Sequence, residues 1–122
     1  MINEVTLIGN VGADPERKTT SSGSTYTQFT MATNETFKKA RGELQKHTEW
    51  HTIKVWGDKA TRAYEQVSKG RKIYVKGKLQ SYEHEGRRLW SVKCLTFRTL
   101  DRQQENENYG HGTRPNWNQP IK

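Results

Sequence analysis

The sequence predicts an all-β fold with one helix, a small five-stranded barrel. Three observations predict it: five segments alternate with β periodicity, one helical segment falls between the third and fourth, and 122 residues leave room for a single core.

Residues 3–11, from Asn3 to Val11, are rich in β-branched side chains and form the first strand, with Gly9 at a bulge or bend. Asp14-Pro15 ends it. Residues 25–34 alternate, with Thr27, Phe29, Met31 and Thr33 on one face and Tyr26, Gln28, Thr30 and Ala32 on the other. Glu35 to His47 has no apolar periodicity and carries Lys38, Lys39 and Arg41, which predicts a long exposed hairpin loop. The third strand, Thr48 to Trp56, turns Ile53 and Val55 inward and Trp50, Lys54 and Trp56 outward. Asp58 is the predicted helix N-cap, with Ala60, Ala63, Tyr64 and Val67 at helical spacing and Gly70 as the C-cap. The fourth strand, Lys72 to Gln80, alternates Ile73, Val75, Gly77 and Leu79 with a basic outer face. A turn at His84-Glu85-Gly86-Arg87 precedes the last strand, about Arg88 to Leu100, with Trp90, Val92 and Cys94 on one face. This β, β, β, α, β, β order is the layout of the OB-fold; periodicity alone leaves other small barrels open. From Arg102 the chain turns polar with no apolar face, which predicts a barrel domain at 1–101 and a disordered polar tail at 102–122.

The chain has 21 Lys and Arg against 13 Asp and Glu, a net charge of +8, of which +7 lies in residues 1–101. Such a surplus concentrates polyanions at the surface. No stretch reaches the roughly 18 apolar residues of a membrane span, and Met1-Ile2-Asn3-Glu4 lacks the regions of a signal peptide, so a soluble, non-secreted protein without membrane partner is expected. Cys94 is the single cysteine, which excludes an intrachain disulfide and a cysteine zinc cage and fits a reducing compartment.

The chemistry is on the outer strand faces. Trp50, Lys54 and Trp56 share one because side chains at even spacing point the same way. Bases stack on such indoles while lysines hold phosphate, each stacked base being worth about 1–3 kcal/mol. The alternative is that the indoles cap the barrel or pack in a subunit interface. Phe37, flanked by Lys38, Lys39 and Arg41, either grips the strand or folds back on the core. Lys72, Lys76 and Lys78 form a basic stripe, with Arg87 and Arg88 at a neighbouring hairpin.

Several words carry a resemblance: Asn3 through Glu16 (Asn-Glu-Val-Thr-Leu-Ile-Gly-Asn-Val-Gly-Ala-Asp-Pro-Glu), Ala32-Thr33-Asn34-Glu35, Thr48-Glu49-Trp50-His51, and Lys69 through Leu79 (Lys-Gly-Arg-Lys-Ile-Tyr-Val-Lys-Gly-Lys-Leu). In order and spacing over about residues 1–100 they resemble the bacterial and mitochondrial single-stranded DNA-binding protein family. The resemblance implies an OB-fold homotetramer that coats single-stranded DNA in replication, recombination and repair, without cofactor or metal. It implies base stacking at Phe37, Trp50 and Trp56 and places His51 at a subunit interface. Its compartment is the bacterial or phage-infected cytoplasm, or the mitochondrial matrix for a mature chain. Two departures stand out. The fourth stacking position falls on His84, whose imidazole offers less area, with Tyr82 two residues earlier on the same face. The end, Asn118 to Lys122, lacks the acidic cluster with which bacterial members recruit replication and repair proteins.

The enzyme alternative rests on His47, Glu49 and His51, but Glu49 and His51 share the face of Ile53 and Val55, so burial in the barrel or an interface accounts for them. There is no phosphate-cradling glycine loop, no nucleophile with a base at motif spacing and no carboxylate cluster for two-metal chemistry. An OB module for single-stranded RNA or a protein partner is the other alternative, since stacking and phosphate contacts do not distinguish the 2′-hydroxyl.

Overall fold

The computed structural model describes residues 1–101. Its elements in chain order are β1 (Val5–Val11), β2 (Glu16–Thr19), β3 (Thr25–Lys38), β4 (Leu44–Trp56), α1 (Asp58–Gln66), β5 (Lys72–His84) and β6 (Arg87–Thr99). The tail expected at 102–122 lies outside the described residues. The sheet runs β1-β5-β6-β4-β3-β2, and pairing of Asn10 and Val11 in β1 with Ala32 and Met31 in β3 closes five of these strands into the expected OB barrel. All pairs are antiparallel except β4 with β6, which meet at Ile53↔Val92 and Lys54↔Lys93.

Closure requires two close approaches. A Cβ on Gly9 would lie 2.1 Å from the carbonyl oxygen of Ala32, and one on Gly77 2.1 Å from that of Lys93. Gly9 thus marks the point where β1 passes from β5 to β3, as its sequence position suggests. At Gly77 the β5–β6 register shifts, so that Lys76 faces Thr96 and Gly77 faces Cys94. The extra residue is Leu95, which stays exposed while Phe97 returns to the core, the usual effect of a bulge on side-chain alternation.

The inward faces of all five barrel strands meet in one core, with Met31, Ile53, Val55, Ile73 and Val75 fully buried. Each such aliphatic side chain contributes roughly 1.5–3 kcal/mol. Helix α1 closes one end through Ala60, Ala63 and the following Val67. The buried Thr27 hydroxyl ties it down by donating to the Ala60 carbonyl at 2.6 Å.

Several expectations are corrected. Residues 35–47 are not a loop: β3 and β4 stay paired as far as Lys38↔Leu44 and only a turn at 39–43 joins them. Both faces of this ribbon lie outside the barrel, so no apolar alternation marks it. β2 was not foreseen because all four of its residues are exposed on the edge of β3. Asp58 is the first helical residue rather than the cap; Gly57, at φ 74°, precedes it, and no side chain caps the helix. The helix ends at Gln66, with the Val67 amide donating to the Ala63 carbonyl, so Gly70 belongs to the following turn instead. The last hairpin turns on Glu85-Gly86, at φ 55° and 78°, the two-residue geometry that suits the twist of the strands it joins. β5 and β6 accordingly run further toward the tip than expected. β1 begins at Val5, but the Asn3 side chain extends its pairing with β5, donating to the Leu79 carbonyl at 3.0 Å and accepting from the Leu79 amide at 2.9 Å.

One buried ion pair ties Asp101 to the barrel. Arg71, 5% exposed, donates from Nε to Asp101 Oδ1 at 3.0 Å and from Nη2 to the Asp101 carbonyl at 2.7 Å. It also reaches the Gln66 carbonyl at 3.3 Å, while Asp101 Oδ2 accepts from the Lys72 amide at 3.0 Å. The pair thus joins the end of α1, the start of β5 and the residues after β6.

Candidate nucleic-acid interface

The even-numbered residues of β4 face outward, as their alternation with Ile53 and Val55 requires. Trp50 is 59% exposed. It stands opposite Ala32, and its six-membered ring lies so close to Gly12 that a Cβ there would come within 2.4 Å of Cζ3. A small residue on β3 and a glycine just past the end of β1 therefore seat this indole against the barrel wall with much of its area still open.

At the other end of the face, Trp56 is half-buried against Tyr26, its partner across the β3–β4 pair, with ring centroids 4.3 Å apart and planes tilted by 31°. Lys54 lies one pleat away. Its Nζ sits 4.2 Å from the centroid of the Tyr82 ring and 5.3 Å from that of Tyr26, so one ammonium faces two aromatic rings. A cation–π contact is worth about 0.5–1 kcal/mol at an exposed site and about 2 kcal/mol or more when desolvated. Tyr82 is 42% exposed. His84 follows on the same pleat face, exposed at the hairpin tip, with Nε2 3.6 Å from the Glu85 carboxylate.

The parallel register of β4 with β6 and the antiparallel register of β6 with β5 set Lys54, Lys93 and Lys78 side by side on three neighbouring strands. All three are half-buried, and none has a carboxylate partner among the described residues. Neighbouring strands are about 4.8 Å apart, so the row concentrates positive charge. The rest of the stripe differs. Lys76 pairs with Glu4 at 3.0 Å, and that hydrogen-bonded carboxylate raises its pKa above the ordinary lysine value. Lys72 lies six residues from Lys78, roughly 20 Å along the strand. It faces Asn10 across the β1–β5 pair.

Phe37 is 46% exposed and belongs to β3, not to a loop. It pairs with Gln45, on the pleat opposite to that of Ala32 and Trp50. Lys38 ends β3, while Lys39 and Arg41 occupy the turn at the ribbon's tip, where the Lys39 amide donates to the Glu43 carbonyl at 2.8 Å. Arg88 is engaged by Ser81 at 2.8 Å and Glu83 at 3.2 Å, whereas Arg87 is exposed opposite His84.

His51 is half-buried, its Nε2 2.9 Å from the Thr33 hydroxyl. Glu49 does not follow Ile53 and Val55 into the core: it is exposed, 3.0 Å from His47 Nε2, because this part of β4 already lies beyond the barrel. Trp90 keeps the face expected for it but lies beyond the barrel in the same way. It shares the pleat of Val92 but is 57% exposed, and with Leu79 and Trp50 it borders a cleft of about 130 Å³ where β4 and β6 part. Among the described residues no three His, Cys, Asp or Glu side chains gather to hold a metal ion. No helix among them is long and apolar enough to cross a membrane.

The sequence reading assigned no part to Tyr26, Lys93, Arg71 or Asp101. For Tyr26 a signal was present, since it alternates outward with Gln28; cross-strand register supplies the rest.

Comparison with known proteins bears on this geometry. A family model described as the single-strand binding protein family matches residues 2–108. The Single-stranded DNA-binding protein 1 of Chlorobaculum tepidum is 42% identical over 95 residues, covering 78% of this chain and 59% of that protein. The Single-stranded DNA-binding protein of Rhizobium meliloti is 44% identical over 82 residues, 66% of this chain and 47% of that protein. The chain thus spans about half to three fifths of the length of these relatives. Among solved structures, the Plasmodium falciparum SSB complex with ssDNA superposes with a TM-score of 0.71 at 27% identity, covering 83% of this chain and 96% of that one. The wild-type single-stranded DNA-binding protein of Thermus aquaticus shares the fold, with a TM-score of 0.70 at 23% identity, covering 82% and 50%. Motif order, barrel topology and the family match agree, and this chain belongs to the single-strand binding protein family.

Proposed function

We propose that this protein binds and coats single-stranded DNA without strong sequence preference, keeping it unpaired for replication, recombination and repair. One observation carries the reading: a single outer face combines open aromatic rings, at Trp50, Tyr82 and the Trp56–Tyr26 pair, with lysines that lack carboxylate partners among the described residues. Bases stack on such rings whatever their sequence, while the lysines replace counterions on the backbone. Trp50, Trp56, Phe37, Tyr82 and His84 are the stacking residues. Lys54, Lys72, Lys76, Lys78, Lys38, Lys39, Arg41, Arg87 and Arg88 meet phosphates, with Lys54 and Lys78 foremost and Lys76 and Arg88 weakened by their carboxylate partners. Duplex binds poorly because its bases are not free to stack. The relatives' names and the neighbour solved with ssDNA favour DNA over RNA. The binding domain is 1–101, it acts as a homotetramer with His51 at a subunit contact, and it performs no catalysis of its own.

Titration of the intrinsic tryptophan fluorescence with oligo-dT, oligo-U and duplex DNA over a salt series tests this. Quenching by oligo-dT, with log affinity falling by about 0.7 per phosphate neutralised as log salt rises, is expected. Trp50→Ala should cost about 1–3 kcal/mol. Equal binding of duplex without quenching would refute the stacking face, and preference for oligo-U would reassign the ligand to RNA.

A further inference from the structure

Lys54 is in an unusual position for a phosphate contact. Its ammonium already has two partners, the faces of Tyr82 and Tyr26, and these are faces a base would need. It is also the end of a row of three half-buried lysines on adjacent strands, an arrangement whose mutual repulsion is relieved at Lys54 by the two rings and at Lys93 and Lys78 by no carboxylate among the described residues. Tyr26 is tied to the same spot from the other side, since its ring packs on Trp56 at 4.3 Å. Six side chains on four strands, Tyr26, Lys54, Trp56, Lys78, Tyr82 and Lys93, therefore form one unit, with Lys93 in the middle of the lysine row.

From this juxtaposition, and resting on the single-strand reading above, we infer that Lys54 is an exchange latch. In the free protein it covers the Tyr82 and Tyr26 rings. When a single strand arrives, bases take the rings and the ammonium moves to a backbone phosphate beside Lys93 and Lys78. Tyr26 is then a stacking residue in its own right, forming with Trp56 a two-ring platform, and Lys93 is a phosphate contact. The exchange conserves charge pairing: the cation gives up an aromatic face for an anion as the aromatic face receives a base.

A latch behaves differently from a simple contact. Lys54→Met removes one phosphate interaction, which lowers the slope of log affinity against log salt by about 0.7. It also frees the rings in the unbound protein, a gain that does not depend on salt. The variant is therefore expected to bind oligo-dT more weakly than wild type at low salt and more tightly at high salt, so that the two lines cross. Tyr26→Leu should lose about 5- to 150-fold in affinity while Tyr26→Phe keeps it, the range that one stacked base supplies. Lys93→Met should lower the slope as Lys54→Met does, but its line should meet that of the wild type only at about 1 M salt, where the counterion contribution vanishes, whereas Lys54→Met crosses well below that. Tyr64→Ala, on the helix and paired with Arg17, is the control expected to leave binding unchanged. Thermal unfolding of each variant at equal protomer concentration confirms that it is folded.

Lines that do not cross below about 1 M salt, with Lys54→Met weaker throughout that range, would make Lys54 a plain phosphate contact and overturn the exchange. Wild-type affinity in a folded Tyr26→Leu would remove Tyr26 from the platform. Failure of the wild type itself to bind oligo-dT would instead overturn the single-strand reading, and the two failures are distinguishable on the same plate.

Discussion

Removing the Asp101 carboxylate should unfold the domain from its end. In Asp101→Ala the Arg71 guanidinium stays in a site where its side chain is 6% exposed, without the acceptor at 3.0 Å from Nε, and the Lys72 amide loses its acceptor at 3.0 Å. Arg71 keeps its other contacts, among them the carbonyls of residues 101 and 66, but loses the charged acceptor paired with its Nε. Breaking a buried pair from one side costs about 3–5 kcal/mol. For a domain of about 100 residues each kcal/mol lowers the melting temperature by about 4–8 °C, so a fall of about 12 °C or more is expected. Urea and thermal unfolding, followed by tryptophan fluorescence at fixed protomer concentration, measure it. The double replacement Arg71→Met with Asp101→Leu should recover much of the loss, because it removes the buried cation together with its carboxylate. The same pair predicts the effect of truncation: a chain stopped after Leu100 should melt far below one stopped after Gln103. A loss under 1 kcal/mol in Asp101→Ala would show that Arg71's other contacts hold it without the carboxylate and would refute this account of the pair.

Gly12→Ala should push the Trp50 ring off its seat, since the new methyl would sit 2.4 Å from Cζ3; oligo-dT affinity should fall toward that of Trp50→Ala while the melting temperature hardly changes, and unchanged affinity would mean that the seat is irrelevant. Burial pushes the Cys94 thiol up to about 11, against an ordinary value near 9. The unfolded chain therefore loses this proton first as pH rises, so the stability the thiol provides is complete below about pH 9 and declines toward pH 11, by up to about 3 kcal/mol. Denaturant unfolding from pH 8 to 10.5 should show the stability gap between wild type and Cys94→Ala narrowing, and a constant gap would disprove it. Glu85→Asn should raise stability by a few tenths of a kcal/mol, because asparagine tolerates the φ of 55° at this turn position better than glutamate; melting curves check the sign.

What the sequence disclosed about the fold was whatever is buried on one side. Thr27, Phe29 and Met31 alternate against solvent, as do Ile53 and Val55 and then Ile73 and Val75, and all of these lie inside the barrel. Where both faces of a strand meet solvent the pattern has no cause to exist. The ribbon of residues 35–47 and the edge strand at Glu16–Thr19 were invisible for that reason. The helix caps failed differently. Asp58 is a good cap by residue type, but Gly57, with its positive φ, already makes the turn out of β4 and takes the preceding position.

The candidate site divides along the same line. Trp50, Lys54 and Trp56 were legible because they sit on one strand, where spacing alone decides the face. Tyr26, Lys93 and Tyr82 join them only through register between strands far apart in sequence, and a one-residue slip in any of these pairings would send their side chains to the other face. The β5–β6 part of that register shifts at Gly77, where a side chain would collide with the Lys93 carbonyl. Past that shift Lys78 lies opposite Lys93, and the separate parallel pairing of β4 with β6 sets Lys93 beside Lys54. A glycine read in the sequence as part of an inward-facing alternation therefore bears on where two outward-facing charges, Lys78 and Lys93, meet. Replacing it should disturb the salt dependence of binding as well as the packing of the core.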